Sequence, residues 1–346
     1  MKKKIRIAQI GVNRYSHATE IFQTIQHLSD DFELVGYALV EDERETCAEK
    51  LKYFAGYREM TVEEILSDPT IDAVAVETDE IHLNRYAQLV ADAGKHMHME
   101  KPGSQCLADF ERLVATVKEK QTVFHLGYMY RYNPFLSDAV ARAQRGEYGQ
   151  IYSVEAHMSR YDKDPCRAWF ASFQGGMMFY LGCHLVDLVY QILGEPSEVI
   201  PCNTVTGLHG IHTEDLGFAV LKYPNAIAVV RMGGTEVGGN KRRQLVICGD
   251  TQTVEIKPLE FSPAVKRPGI VSEQCVRKTE YFFNELGKVQ TATAESEPFG
   301  RYDAMMRSFA AMVRGEKTNP YTYDYELSLF RLILRCCGME LPEASK

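Results

Sequence analysis

Three short stretches of this chain hold side chains whose type and spacing suit chemistry. Glu100-Lys101-Pro102 ends an apolar run, so an ammonium stands at the carboxyl end of a strand, the edge where parallel sheets bind ligands. The proline restricts the lysine's backbone and permits a cis bond. Tyr180, His184 and Asp187 recur at helical spacing on one stripe, with Leu181, Leu185 and Leu188 on the apolar one. Gly11-Val12-Asn13-Arg14-Tyr15-Ser16 lies between an apolar run and a helical pattern, the setting in which G-x-G-x-x-G binds a dinucleotide.

Of that fingerprint only the first glycine is present. Its glycines serve the tight turn, the approach of backbone to diphosphate, and close helix-strand packing. Ser16 is small enough for the third task, and Asn13 tolerates a left-handed backbone better than most residues. The turn is therefore read as a dinucleotide site, against the plainer reading of a structural strand-to-helix turn. A ribose-binding acid is expected about 20 residues further on. Residues 37–40 are apolar there, and Glu41 and Asp42 just beyond serve either the ribose or a solvated turn. Arg14 is placed to meet a 2'-phosphate, so NAD and NADP both stay open, with NAD favoured.

The elements that must hold these groups are legible as patterns. Residues 4–11, 32–40, 71–77, 96–100 and 122–126 read as strands, alternating with helices over 47–54, 84–93 and 109–118 and the periodic segment around Ile21, Ile25 and Leu28. This predicts a six-stranded doubly wound parallel sheet, a dinucleotide-binding Rossmann domain over residues 1–127. Residues 150–157, 199–206, 216–223, 226–232, 244–248 and 253–256 are strands with few helices between them, and Pro224-Asn225 makes a hairpin turn. They predict an α+β domain over 128–346 with a large, mostly antiparallel sheet whose open face packs against another subunit. Two C-terminal helices, 302–313 and 325–337, the second capped by Gly338, are expected near the domain junction.

Composition narrows the partners. With 346 residues, 45% apolar and 25% charged, the chain matches soluble globular proteins of two domains. Its 39 Lys+Arg against 47 Asp+Glu give a net charge of -8, which repels phosphate backbones and argues against nucleic acid. No apolar stretch approaches the ~20 residues of a membrane span and no signal-peptide core follows Lys2-Lys3-Lys4, so no membrane association and a cytoplasmic location are expected. The nine cysteines fit no zinc knuckle and read as buried thiols. His212, Glu214 and Asp215 read as a solvated turn, and no metal is expected.

Glu100-Lys101-Pro102 after Gly94-Lys95-His96 resembles the signature of the glucose-fructose oxidoreductase and inositol dehydrogenase family (Gfo/Idh/MocA). Gly127-Tyr128-Met129-Tyr130-Arg131-Tyr132-Asn133-Pro134 is similar to that family's segment at the domain junction. Gly175-Gly176-Met177-Met178 through His184 is similar to its glycine-led active-site helix, and residues 300–325 are similar to its C-terminal region. The likeness spans nearly the whole chain. It implies that Lys101 contacts substrate hydroxyl and cofactor, and that His184 assists proton transfer on a stripe facing the cleft.

The family's aspartate, one helical turn before the histidine, has no counterpart, because position 180 is Tyr180. Its phenol either serves as acid/base, with a nearby ammonium lowering its pKa, or packs or binds sugar through its ring. Thr78-Asp79-Glu80 stands where the family has Thr-Pro-Asn, so Glu80 either binds ribose or the nicotinamide amide or weakens the cofactor's hold. The expected cofactor set is Gly11, Asn13, Arg14, Tyr15, Ser16, Glu41, Thr78, Glu80, Glu100, Lys101 and Arg131. Substrate is expected beside Lys101, Tyr128, Tyr130, Arg167, Trp169, Tyr180 and His184.

The chemistry so implied is NAD(P)-dependent oxidation or reduction of a CH–OH group of a sugar, glycoside or polyol, a glycoside 3-dehydrogenase being one subclass. Two other readings stay open. One is a glycosidase or lyase that keeps NAD tightly bound for transient oxidation. The other is a non-catalytic nucleotide- or sugar-binding protein, prompted by Asn13, Leu39, Glu80 and Tyr180 departing together. A homo-oligomer, dimer or tetramer, is expected through the open sheet face.

Overall fold

Apolar runs buried on both faces build the first sheet. In the computed structural model, which describes residues 2–340, β1 (Ile5–Ile10) and β4 (Ala73–Val76) are its centre, and Ile7, Ile10 and all of β4 are fully buried. Met1 and residues 341–346, which the sequence reading counts within its two domains, lie outside the described residues. β2 (Phe32–Ala38), β3 (Arg58–Glu59), β5 (His96–Met99) and β6 (Phe124–Leu126) complete six strands in the order β3-β2-β1-β4-β5-β6. All neighbours are parallel. The order reverses between β1 and β4, which places a ligand crevice at the carboxyl ends of those strands.

This sheet belongs to a compact unit of Met1–Tyr128, Arg267–Ser272 and Gly300–Ser328. The C-terminal segment is tied to β6, with Asn319 donating to the Phe124 carbonyl at 2.9 Å and the Tyr323 hydroxyl to that of Thr122 at 2.7 Å. Three details differ from the sequence reading. The sixth strand is β3, two exposed residues with no apolar signal. The helix expected over 47–54 is a short helix at Glu43–Thr46 followed by a 3-10 turn at Ala48–Phe54. The helix expected from residue 84 begins at Glu80, which brings that carboxylate into its first turn.

The second unit comprises Met129–Lys266, Glu273–Phe299 and Leu329–Lys346. Its strands are β7 (Ile151–His157), β8 (Glu198–Pro201), β9 (Leu216–Lys222), β10 (Ile227–Gly233), β11 (Gln244–Gly249) and β12 (Gln252–Ile256). Beyond the short β13 (Glu273–Gln274) come β14 (Arg277–Phe283) and β15 (Val289–Glu295). They form an eight-stranded sheet, β15-β14-β12-β11-β7-β10-β9-β8, in which only β7 and β10 pair in parallel. The Pro224-Asn225 hairpin closes with Tyr223 N–H to the Ala226 carbonyl at 2.9 Å. The sequence reading lacks β14 and β15 because β15 is exposed throughout and no residue of β14 is buried, leaving no alternation of buried apolar residues to follow.

Helices cover one face of this sheet. Pro134–Gln144 packs on β12, and Cys183–Leu193 on β7 and β10. The first is started by Asn133, whose Oδ1 accepts the N–H groups of Phe135 and Leu136, with Pro134 at the position that needs no donor. Ala219, Leu221, Ala228 and Val230 are fully buried beneath the helices, whereas Phe218, Val220, Val229 and Val246 alternate onto a half-exposed opposite face.

Candidate functional site

In the first unit the site begins at the turn after β1. Gly11 has φ +92°, and a Cβ there would come within 2.7 Å of Thr78, so no other residue fits. Asn13, in the second-glycine position, also has positive φ, and its side chain is fully engaged. Its Oδ1 accepts the N–H groups of Tyr15 (2.9 Å) and Ser16 (3.2 Å), and its Nδ2 donates to the Thr78 carbonyl (3.0 Å) and Glu80 Oε2 (3.3 Å). Ser16, in the third position, accepts Ala18 N–H on its hydroxyl at 3.2 Å.

Two residues that sequence reasoning missed grip this turn. Glu43 is buried and its Oε1 accepts the N–H groups of Val12 (2.9 Å) and Asn13 (3.2 Å), while Oε2 accepts that of Val40 (3.0 Å). Burial pushes its carboxyl up to about 7 against the pull of those three bonds, with the charge of Asp79 adding to the rise. Lys50 donates to the carbonyls of Asn13 (2.7 Å) and Ser16 (3.2 Å), and burial lowers its pKa. Glu41, the acid expected at the ribose, instead takes Arg85 and the Tyr86 hydroxyl, each at 2.8 Å. Arg14 lies 3.6 Å from Asp42 and 3.9 Å from Asp79. The only signal for Glu43 in the sequence is that it follows the two acids considered there.

Past β5, Lys101 is 4% exposed and paired with Glu100 at 3.0 Å, so it is not a solvated surface lysine. The Lys101-Pro102 peptide is cis. Gly127 backs Glu100, its position leaving 3.0 Å between an added Cβ and Glu100 Oε2. Thr78 and Glu80 are buried at the end of β4, and burial pushes the Glu80 carboxyl up to about 8, Lys101 opposing. Glu77, read from the sequence only as the end of a strand, is fully buried and 3.7 Å from His98 Nε2. Burial, then the charge of Glu100, holds its carboxyl well above the usual range. His98 in turn meets His125 Nδ1 to Nδ1 at 2.8 Å, and burial drives its pKa down to about 3. One ammonium thus shares the carboxyl edge of the sheet with several protonatable carboxyls.

In the second unit, Gly175 and Gly176 both have positive φ, and a Cβ on Gly176 would lie 2.2 Å from the Glu214 carbonyl. They lead into a π-helical turn, Met178–Gly182, which runs on as the helix Cys183–Leu193. Tyr180 lies inside the wider turn and His184 and Asp187 in the helix beyond it, and the three have different partners. The Tyr180 ring packs against Trp169 (5.3 Å), Phe170 (5.6 Å) and Phe173 (6.4 Å), with the Arg160 guanidinium 5.2 Å from its centre. His184 meets the Tyr130 ring edge-on at 5.4 Å. Asp187 takes a two-pronged bond from Arg131, at 2.9 Å from Nη2 and 3.0 Å from Nε, and both are 1% exposed at the side chain.

Arg131, expected at the cofactor, is thus committed to Asp187. Tyr130 donates to Glu260 at 3.3 Å, and Tyr128, in the first unit, is buried. Arg167, expected at substrate, is held by Asp215 at 2.6 Å with both side chains buried, and it also donates to the Leu208 carbonyl. Asp215 is therefore no part of a solvated turn, which corrects the reading of the His212-Glu214-Asp215 cluster; its partners are Arg167 and Thr206. The acid is buried because its charge is matched by a guanidinium too far along the chain for a local pattern to reveal.

Comparison with known proteins adds the following. Residues 5–128 match the family model described as an oxidoreductase family with an NAD-binding Rossmann fold, and residues 137–255 match the GFO/IDH/MocA C-terminal domain. Myo-inositol 2-dehydrogenase of Thermotoga maritima is 24% identical over 302 residues, 84% of this chain and 85% of that protein. The fold is similar to aldose-aldose oxidoreductase of Caulobacter crescentus complexed with glycerol (TM-score 0.75, 20% identity, 97% and 98% of the two chains). It is likewise similar to the WlbA dehydrogenase of Bordetella pertussis in complex with NADH and UDP-GlcNAcA (TM-score 0.73, 18% identity, 99% and 100%).

Proposed function

The chain belongs to the Gfo/Idh/MocA family of NAD-binding oxidoreductases, and from that premise we propose that it moves a hydride between a nicotinamide dinucleotide and a ring or chain hydroxyl of a sugar, glycoside or polyol. The observation that carries this reading is the buried Lys101–Glu100 pair at the carboxyl edge of a parallel sheet. Relatives named for inositol and for aldose support a polyhydroxylated substrate.

The Gly11 turn, closed to any Cβ by Thr78, fits a dinucleotide, and Gly11, Thr78, Glu80 and Lys101 would hold it. When bound, it supplies the hydride acceptor or donor. Lys101 polarises the reacting oxygen, stabilising negative charge as the hydroxyl proton leaves. His184 holds that proton at its ring, oriented by the edge contact with Tyr130. Tyr180 serves as a wall rather than as the acid, in keeping with its cage of Trp169, Phe170 and Phe173.

NAD is the favoured cofactor, since Glu41, Asp42 and Glu43 follow β2 and Arg14 is flanked by Asp42 and Asp79. The half-exposed Phe218, Val220, Val229 and Val246 support a homo-oligomer through the open sheet face. All nine cysteines are free thiols, in keeping with a cytoplasmic site, and no helix of the described residues is long and apolar enough to cross a membrane. The reading is tested by supplying NAD and then NADP with a panel of inositols, aldoses and glycosides and following absorbance of the reduced nicotinamide. Turnover on at least one member, faster with NAD, is expected; no response anywhere in the panel rejects the reading.

A further inference from the structure

A diphosphate-binding turn works by presenting unpaired backbone N–H groups at the start of a helix. In this chain four of those donors are already taken. The Val12 and Asn13 N–H groups point to Glu43 Oε1, and the Tyr15 and Ser16 N–H groups to Asn13 Oδ1. Glu43 is itself fastened by Val40 N–H and stands at the start of the short helix Glu43–Thr46, so its carboxylate is built in rather than draped across the turn.

We propose that Glu43 is an internal rival of the dinucleotide's diphosphate, competing for the same amide donors and taking up a proton as the diphosphate binds. The inference rests on the reading of the first unit as a dinucleotide site. Its physical basis is that two anions sharing one set of donors cannot both stay ionised without water between them. Protonation relieves the repulsion and converts Glu43 from an acceptor of hydrogen bonds into a donor as well. Asn13 needs no such change, because its amide is neutral.

The groups facing Glu43 leave it as the anion to be neutralised. Asp79 disfavours its charged form from the end of β4. Tyr86, on the helix that begins at Glu80, and Cys47, just past the helix Glu43–Thr46, are neutral neighbours whose own pKa values are raised by burial first and by the charge of Glu43 among lesser causes. Lys50 bonds to the carbonyls of the turn, and Arg14 lies between Asp42 and Asp79. Glu43 is held near the neutral range, about 7, so a modest perturbation by a diphosphate moves it across physiological pH.

The sign follows by linkage. A group that binds its proton more tightly in the complex than in the free protein makes the ligand bind more weakly as pH rises between its two pKa values, by up to about tenfold per pH unit. Affinity for NAD therefore falls above pH 7. Glu80, which titrates in the same range, changes nothing in a comparison that alters Glu43 alone, and ADP reports the diphosphate without the nicotinamide.

The test is calorimetric titration of the full chain with NAD and with ADP at pH 6 and 8.5, and at pH 7.5 in two buffers of different ionisation heat, for the wild type and Glu43→Gln. The wild type is expected to bind both ligands about tenfold more weakly at pH 8.5 than at pH 6 and to take up about half a proton at pH 7.5. Glu43→Gln is expected to take up fewer protons and show a weaker pH dependence than the wild type, and to exceed it at pH 8.5. Wild-type binding without proton uptake, or a variant no tighter at pH 8.5, overturns the inference and leaves the dinucleotide reading standing. Failure of the wild type to bind either ligand overturns both. Should Glu43→Gln not fold, proton uptake on ADP binding by Glu80→Gln decides, since that variant leaves Glu43 as the titrating carboxyl.

Discussion

Lys101 and Glu43 are both charged residues taken out of water, yet only one of them was visible in the sequence. Lys101 is flagged by its neighbours, Glu100 and Pro102, and by an apolar run that had to end there. Glu43 matters because β1 and β2 lie side by side and bring residues 12, 13 and 40 to it, an adjacency no local pattern encodes. The same limit explains Arg167 and Asp215, two polar residues that looked available and are spent on each other. Tyr180 marks the third kind of case, where residue type allows two roles and packing favours one. With its ring enclosed by Trp169, Phe170 and Phe173, Tyr180→Phe keeps the enclosure and is expected to leave kcat within about threefold in steady-state assays; a loss of about 100-fold or more would make the phenol the proton carrier.

At the scale of elements, the first sheet was legible because strands buried on both faces write continuous apolar runs, and its missing member, β3, has only two exposed residues. In the second sheet, strands with one covered face wrote an alternation, and the exposed β15 wrote none. The π-helical turn at Met178–Gly182 was hidden for another reason: a wider turn leaves composition unchanged, so no residue pattern marks it. The alternation also yields a prediction about the half-exposed side. Val229 is central to it, on β10 between β7 and β9, and a carboxylate there would be trapped unpaired in any subunit contact. If the wild type sediments as the proposed oligomer, Val229→Glu is expected to sediment as a monomer by analytical ultracentrifugation with an unchanged circular dichroism spectrum; a wild-type monomer, or a variant that stays assembled, would remove this face as the interface.

For the molecule as a whole, a parallel sheet with a reversal of strand order supplies an edge for a cofactor, and a half-covered antiparallel sheet supplies a helix bearing His184. The chain builds the first of these units from three separate stretches, returning to it at Gly300–Ser328, which continuous sequence segments do not announce. The claim on which the account turns is that Lys101 acts on the reacting oxygen rather than merely filling the sheet edge beside Glu100. Lys101→Met keeps an unbranched side chain one atom shorter and removes its charge. Measured with NAD and the best substrate of the panel, it is expected to lower kcat by about 100-fold or more while calorimetry shows NAD affinity changed by less than about tenfold. Wild-type turnover in Lys101→Met would contradict the account.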